Sequence, residues 1–182
     1  RAFYGCTSLT NISLPNTITN LGDVFRGCTS LKNITIPNSV TSLGYTFYDC
    51  TSLTDIVIPN SVTTIGECTF RGCTNLKSVT IPNSVTNIEW AAFASCTSLT
   101  SITIPESVKV IGSDAFNSCR VLTEVICKSK KPITISSTEF HLVSTTATLY
   151  VPKGSKDAYA SATGWSKFKN VVEFSLIPEY TI

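Results

Sequence analysis

The chain has no methionine, one histidine and only 14% charged residues, with 14 Lys and Arg set against 12 acids. Each shortage removes a class of function. His141, the lone histidine, has no activated nucleophile near it in sequence, so it reads as a surface or cap residue rather than a general base. A net charge of +2 is too dilute to capture nucleic acid or anionic lipid, both of which need a dense basic face. No run of about 18 apolar residues occurs, so no segment is expected to insert into a membrane. Glycines stand singly at bends rather than clustered before a helix, which excludes a phosphate loop. Acidic residues are scattered through the chain without pairing, and no Cys-x-x-Cys occurs. No cofactor and no metal are therefore expected, and the chain is not expected to be an enzyme. Lacking methionine and opening on Arg1-Ala2-Phe3 inside a repeat unit, it reads as a segment whose own N-terminus lies upstream.

What is present is a repeat. Phe3, Phe25, Phe47, Phe70, Phe93 and Phe116 recur every 22 or 23 residues, each followed by a cysteine three places on: Cys6, Cys28, Cys50, Cys73, Cys96 and Cys119. Self-similarity at that period specifies a solenoid. Within each unit Leu9, Leu31, Leu53, Leu76, Leu99 and Leu122 come first, and then an alternation such as Ile34-Thr35-Ile36 or Ile102-Thr103-Ile104. That alternation predicts a short strand with one buried face. Pro15, Pro37, Pro59, Pro82 and Pro105 follow, and proline, having no backbone donor, ends the ladder there. Gly22, Gly44, Gly66 and Gly112 mark a second bend, where Glu89 stands in one unit and argues that no positive φ is required. The Phe-x-x-Cys stretch is expected to form a short helical turn on the opposite side. One coil buries too little apolar surface to offset its chain entropy, so stability must come from stacking, with the strands of six coils joined in one parallel sheet.

The pattern weakens after Cys127, where Lys128 takes the proline place and Lys130-Lys131-Pro132 interrupts. Leu149-Tyr150-Val151-Pro152 restores the rhythm, and Ser155 reads as the N-cap of a helix through Tyr159. Trp165, Phe168, Val171, Val172 and Phe174 are too apolar for a free tail. The organisation read from this is residues 1–127 as repeats, about six coils with the first incomplete, and 128–182 as a degenerate repeat and C-terminal cap.

Eight cysteines would suggest disulfides in an exported protein. Six of them hold one equivalent place per coil, so their Cβ vectors run parallel, which suits a column of buried free thiols better than disulfides. Cys127 falls at a core strand place. Cys68 falls where Ala91 and Asp114 stand in later coils and is expected to be exposed, which makes it the candidate reactive thiol.

Ser101-Ile-Thr-Ile104-Pro105 through Ile111-Gly112-Ser-Asp-Ala115-Phe116-x-x-Cys119 resembles, place by place, the 23-residue leucine-rich repeat of the BspA-like bacterial surface proteins. The segment from Leu149 to Val172 is similar to the one that closes many such proteins. The resemblance implies a right-handed α/β solenoid with a concave parallel sheet, short helical turns on the convex side and a C-terminal α+β cap. It also implies a secreted or bacterial cell-surface location, a monomer, and adhesion to a host or matrix protein or a glycan. The strand face pointing away from the core would then be the binding face, lined by Asn33, Thr35, Asp55, Val57, Ser78, Thr80, Ser101 and Thr103. Ser and Thr are equally favoured on solvated strands, which leaves solvation alone as a second account of that column. A structural spacer that projects another domain, with no ligand of its own, is the alternative function. The glycosylation sequons Asn11-Ile-Ser13 and Asn33-Ile-Thr35 fall on strands and read as coincidence in a Thr-rich repeat.

Overall fold

A computed structural model describes residues 1–175. The chain winds as a parallel β-solenoid, and its strands are short because each coil turns twice within the repeat. The strands are β1 (Asp55–Val57), β2 (Thr64–Ile65), β3 (Ser78–Thr80), β4 (Asn87–Ile88), β5 (Ser101–Ile104), β6 (Val110–Ile111), β7 (Glu124–Cys127), β8 (Thr148–Pro152) and β9 (Asn170–Phe174). All ladder pairs are parallel, in the orders β1-β3, β2-β4-β6 and β5-β7-β8-β9. Ile56, Ile58, Ile102, Ile104, Val125 and Cys127 point inward and are buried, as the alternation requires.

Two features differ from the sequence expectation. The strand column is not one continuous sheet: the equivalent stretches of the first two coils carry only scattered backbone bonds, such as Lys32 N to Thr10 O at 3.2 Å. A second column, β2-β4-β6, lies between the proline and glycine bends, where the sequence reading placed no strand. Two-residue strands leave almost no period to read; their signature is only the paired Val62/Ile65, Val85/Ile88 and Val108/Ile111, all buried.

The expected helical turns are absent. Around Phe47, Phe70, Phe93 and Phe116 the backbone enters the left-handed region twice, at Tyr45 and Asp49, Cys68 and Gly72, Ala91 and Ser95, Asp114 and Ser118. A right-handed helix cannot contain such residues. Their amides bond outward to the next coil instead: Tyr45 N to Glu67 O at 2.8 Å, Phe47 N to Thr69 O at 2.9 Å and Asp49 N to Arg71 O at 2.8 Å. At the glycine bend Gly66, Glu89 and Gly112 donate to Leu43, Ile65 and Ile88 carbonyls at 2.8, 2.9 and 2.7 Å. Gly112 is needed for space, since a Cβ there would lie 2.6 Å from Trp90 N. Positive φ is not the reason, in keeping with Glu89 at the same place.

The core is a column of rings. Phe3, Phe25, Phe47, Phe70, Phe93, Phe116 and Phe140 stack in sequence, with centroids 5.1–5.9 Å apart and interplanar angles of 1–13°. Trp165 and Phe168 then cover Phe140 at tilted and edge-on angles, and Tyr159 meets Trp165 edge to face. These last rings come from helix α1 (Lys156–Ser161), which carries Tyr159, and from a 3-10 turn (Trp165–Lys167) and its end. Ser155 holds the N-cap place of α1 without a side-chain capping bond; Glu173 Oε1 accepts from Gly154 N and Lys156 N at 2.9 and 3.0 Å and supplies the cap from β9.

Beside the rings runs a column of thiols. The Sγ of Cys28, Cys50, Cys73, Cys96 and Cys119 each donates to the carbonyl of the ladder phenylalanine one coil back, Phe3, Phe25, Phe47, Phe70 and Phe93, at 3.0–3.2 Å. These cysteines are free and buried. They are more than small apolar fillers, because each supplies a polar link between consecutive coils. Burial raises their pKa values, with Cys50 and Cys119 pushed up from 9.0 to about 12. Cys6, in the first coil, is exposed.

Cys68 corrects the sequence expectation. It is 1% exposed, packed with Ala91 and Ala94 and flanked by Tyr45 and Tyr48 in a small cluster outside the main core. Its backbone, φ 51°, is the same left-handed one as at Tyr45 and Asp114, which are only half-buried, so the burial comes from the alanines and tyrosines of the neighbouring coils that cover it. Burial raises its pKa, with Arg71 opposing, and the exposure on which its reading as a reactive thiol rested is absent.

Three outcomes follow from this packing. Phe70→Ala removes two ring contacts and leaves a cavity, and should lower unfolding stability by about 3–5 kcal/mol in urea titration, whereas Phe3→Ala at the half-buried first coil costs less. A thiol-labelling time course on native protein should show one fast cysteine, lost in Cys6→Ser, and seven that react only on unfolding. The folded thiols keep protons that the unfolded chain releases above 9.0, so stability is full below that pH and falls as pH rises toward 12, measurable as a declining Tm.

Candidate functional site

Because side chains alternate along a strand, the residues between the buried isoleucines share the outer face. Asp55 stands beside Ser78 and Val57 beside Thr80 in the β1-β3 register; Ser101 and Thr103 stand beside Glu124 and Ile126 in β5-β7. Asn33, Thr35, Asp55, Val57, Ser78 and Thr80 are exposed, while Ser101 and Thr103 are half-buried. Ser78 Oγ donates to Asp55 Oδ1 at 2.6 Å. That bond, with help from Thr54 and Lys77, lowers the Asp55 pKa and keeps its carboxylate ionised.

Two adjoining hollows open on this face. The first, about 480 Å³, is lined by Asn33, Thr35, Asp55 and Val57 over an apolar floor that includes Ile34 and Pro59. The second, also about 480 Å³, shares Val57, Asn38 and Pro59 with it and adds Asn60, Thr80, Asn83 and Lys128. The structure thus brings five of the eight residues read from the sequence to the hollows; Ser78, Ser101 and Thr103 lie on the same face outside them. Val57, 67% exposed, sits where the two hollows meet.

Sequence reasoning missed Asn38, Asn60, Asn83 and Lys128. The signal was present as the dipeptides Pro37-Asn38, Pro59-Asn60 and Pro82-Asn83, one per coil at the strand exit. Chemically the site offers amides, hydroxyls, one carboxylate and an apolar floor, a set that hydrogen-bonds and excludes water. Among the described residues no three His, Cys, Asp or Glu side chains converge as a metal site. His141 is exposed and lines a separate, smaller hollow near the 3-10 turn. Also among the described residues, no helix is long and apolar enough to cross a membrane.

Comparison with known proteins bears on this arrangement. No curated protein is significantly similar in sequence. Among solved structures, a leucine rich cell surface protein from Faecalibacterium prausnitzii A2-165 is similar with a TM-score of 0.66 and 25% identity, over 96% of this chain and 57% of that one. A leucine-rich repeat protein from Bacteroides ovatus is 26% identical with a TM-score of 0.56, over 78% of this chain and 47% of that one. The pneumococcal vaccine antigen PcpA shares the fold at 17% identity and a TM-score of 0.58, over 92% of this chain and 45% of that one. This chain therefore spans about half the length of its structural relatives. The sequence matches six copies of the BspA type leucine rich repeat region across residues 1–46 and 44–163, and the chain belongs to that family.

Proposed function

We propose that this chain recognises a protein or a glycan through the outer face of its strand column, without catalysis, at a bacterial cell surface or outside the cell. The observation that carries the reading is the pair of joined hollows. Amide and hydroxyl groups from successive coils, Asn33, Thr35, Asn38, Asn60, Thr80 and Asn83, line an open trough with an apolar floor at Val57 and Pro59. Such a surface exchanges hydrogen bonds with an extended partner while burying some apolar area. The strand face is taken as the concave side of a right-handed solenoid, since solenoids bind on that side. The cell-surface description of the Faecalibacterium protein supports the location. A host or matrix protein or a glycan is the partner class, met by a monomer. Residues 128–182 are taken as a degenerate repeat and cap, of which 128–175 supply the rings that cover Phe140, and 176–182 lie outside the described residues.

The test is a binding screen of the isolated chain against matrix proteins and glycans, followed by Val57→Lys and Thr80→Lys. Binding should fall about ten-fold or more in both, with Tm unchanged, because a charged side chain fills the trough without touching the core. Equal binding by the variants would overturn the strand-face reading. Absence of any ligand for this chain, alongside binding by a longer product, would favour the spacer.

A further inference from the structure

The residue that follows each ladder phenylalanine forms a second column outside the ring stack, exposed or half-buried except at Ala94. It reads Tyr4, Arg26, Tyr48, Arg71, Ala94, Asn117 and His141. In the first four coils this column alternates ring and guanidinium. Arg26 lies over Tyr4 at 5.6 Å and over Tyr48 at 4.4 Å; Arg71 lies over Tyr48 at 5.7 Å and over Trp90 at 5.8 Å. Arg1 also stacks on Tyr4, but it is engaged by Asp23 at 2.7 Å. Among the described residues, neither Arg26 nor Arg71 has a carboxylate within ion-pair distance.

Stacking between coils does not by itself account for this column. The phenylalanine ladder runs through seven coils because every coil needs it. The outer column stops at Ala94, although the coils beyond it stack just as closely. The strip also ends on an unusual residue. Trp90 stands one place after Glu89, which fills the bend position that Gly66 and Gly112 hold elsewhere, and it is 41% exposed. One indole face is covered by Arg71, and much of the rest of the ring is open to solvent.

We propose that Arg26, Tyr48, Arg71 and Trp90 form a binding strip for an acidic saccharide, one that carries carboxylate or sulfate groups. A guanidinium sandwiched between rings has its faces covered and its rotamers restricted, so its N–H edge is the part left for a ligand, and at Arg71 one side of that edge already meets the Cys68 thiol. That edge binds a carboxylate or sulfate in a two-pronged, charge-assisted contact. The open part of the Trp90 ring accepts the apolar C–H face of a sugar next to the anionic group on Arg71. Nucleic acid fits less well. Tyr48 already has two guanidinium groups over its ring, so bases cannot stack along the strip, and two cations are far fewer than a phosphate backbone calls for. Neutral saccharides would leave both guanidinium edges unused.

This strip lies on the turns around the phenylalanines, apart from the strand face, so the two sites are separable by mutation. The experiment uses the whole chain with hyaluronan, chondroitin sulfate and polygalacturonate as probes, and dextran, oligo-dT and polyglutamate as controls. Trp90 emission reports binding, since the other tryptophan, Trp165, is fully buried. At least one acidic saccharide should bind and perturb Trp90. Arg71→Gln and Trp90→Ala should each weaken that binding about ten-fold or more, with Arg71→Lys intermediate because it keeps charge without the fork. Thr80→Lys should leave it unchanged, so failure here is distinguishable from failure at the strand face. A melting curve on each variant confirms folding. The proposal is overturned if no acidic saccharide binds, if oligo-dT or polyglutamate binds equally well, or if Arg71→Gln and Trp90→Ala bind as the parent does.

Discussion

The contact on which the rest depends is ring on ring. Successive phenylalanines held 5.1–5.9 Å apart and nearly parallel set how far one coil sits from the next. That separation lets the thiols of Cys28, Cys50, Cys73, Cys96 and Cys119 reach the carbonyl one coil back, and it lets alternate turn amides reach carbonyls one coil on. Aromatic stacking supplies only about 0.5–1.5 kcal/mol per pair beyond area burial. Its importance lies in register: the backbone bonds form only when the coils are already placed.

The same constraint shapes the surfaces. A strand column with one residue pair per coil offers the same outward position again and again, so side chains from distant parts of the sequence become neighbours. Asp55 and Ser78, 23 residues apart, share a hydrogen bond, and Asn38, Asn60 and Asn83 share one hollow. On the turn side, the position after each phenylalanine repeats in the same way and builds the Arg26-Tyr48-Arg71 stack. Each surface is a set of columns, and each column is free to vary while the ring column beneath it holds.

Much of the fold was legible from the residues, because inward and outward positions alternate within a coil and that alternation recurs. Ile102 and Ile104 are buried and Ser101 and Thr103 are less so, as the pattern required. Cys28 through Cys119 are free thiols, as parallel Cβ vectors implied. Other expectations failed where geometry between coils decided. Cys68 occupies a column whose other members include Asp114, and the two share a left-handed backbone, yet Ala91, Ala94, Tyr45 and Tyr48 of the neighbouring coils cover Cys68. The supposed helical turn failed because every other amide in it serves the neighbouring coil rather than its own. Of the candidate site, the strand-face column was legible but its hollows were not, because a hollow is defined by the space between coils.

By itself the sequence determined the period, the family, the buried face of each strand and the ring column, all of which are written inside a single repeat and copied. Only the tertiary structure decided the second strand column, the burial of Cys68, the thiol-to-carbonyl links and the guanidinium–ring stack. Each of these depends on how one coil is offset against the next, a distance across space that no spacing along the chain records.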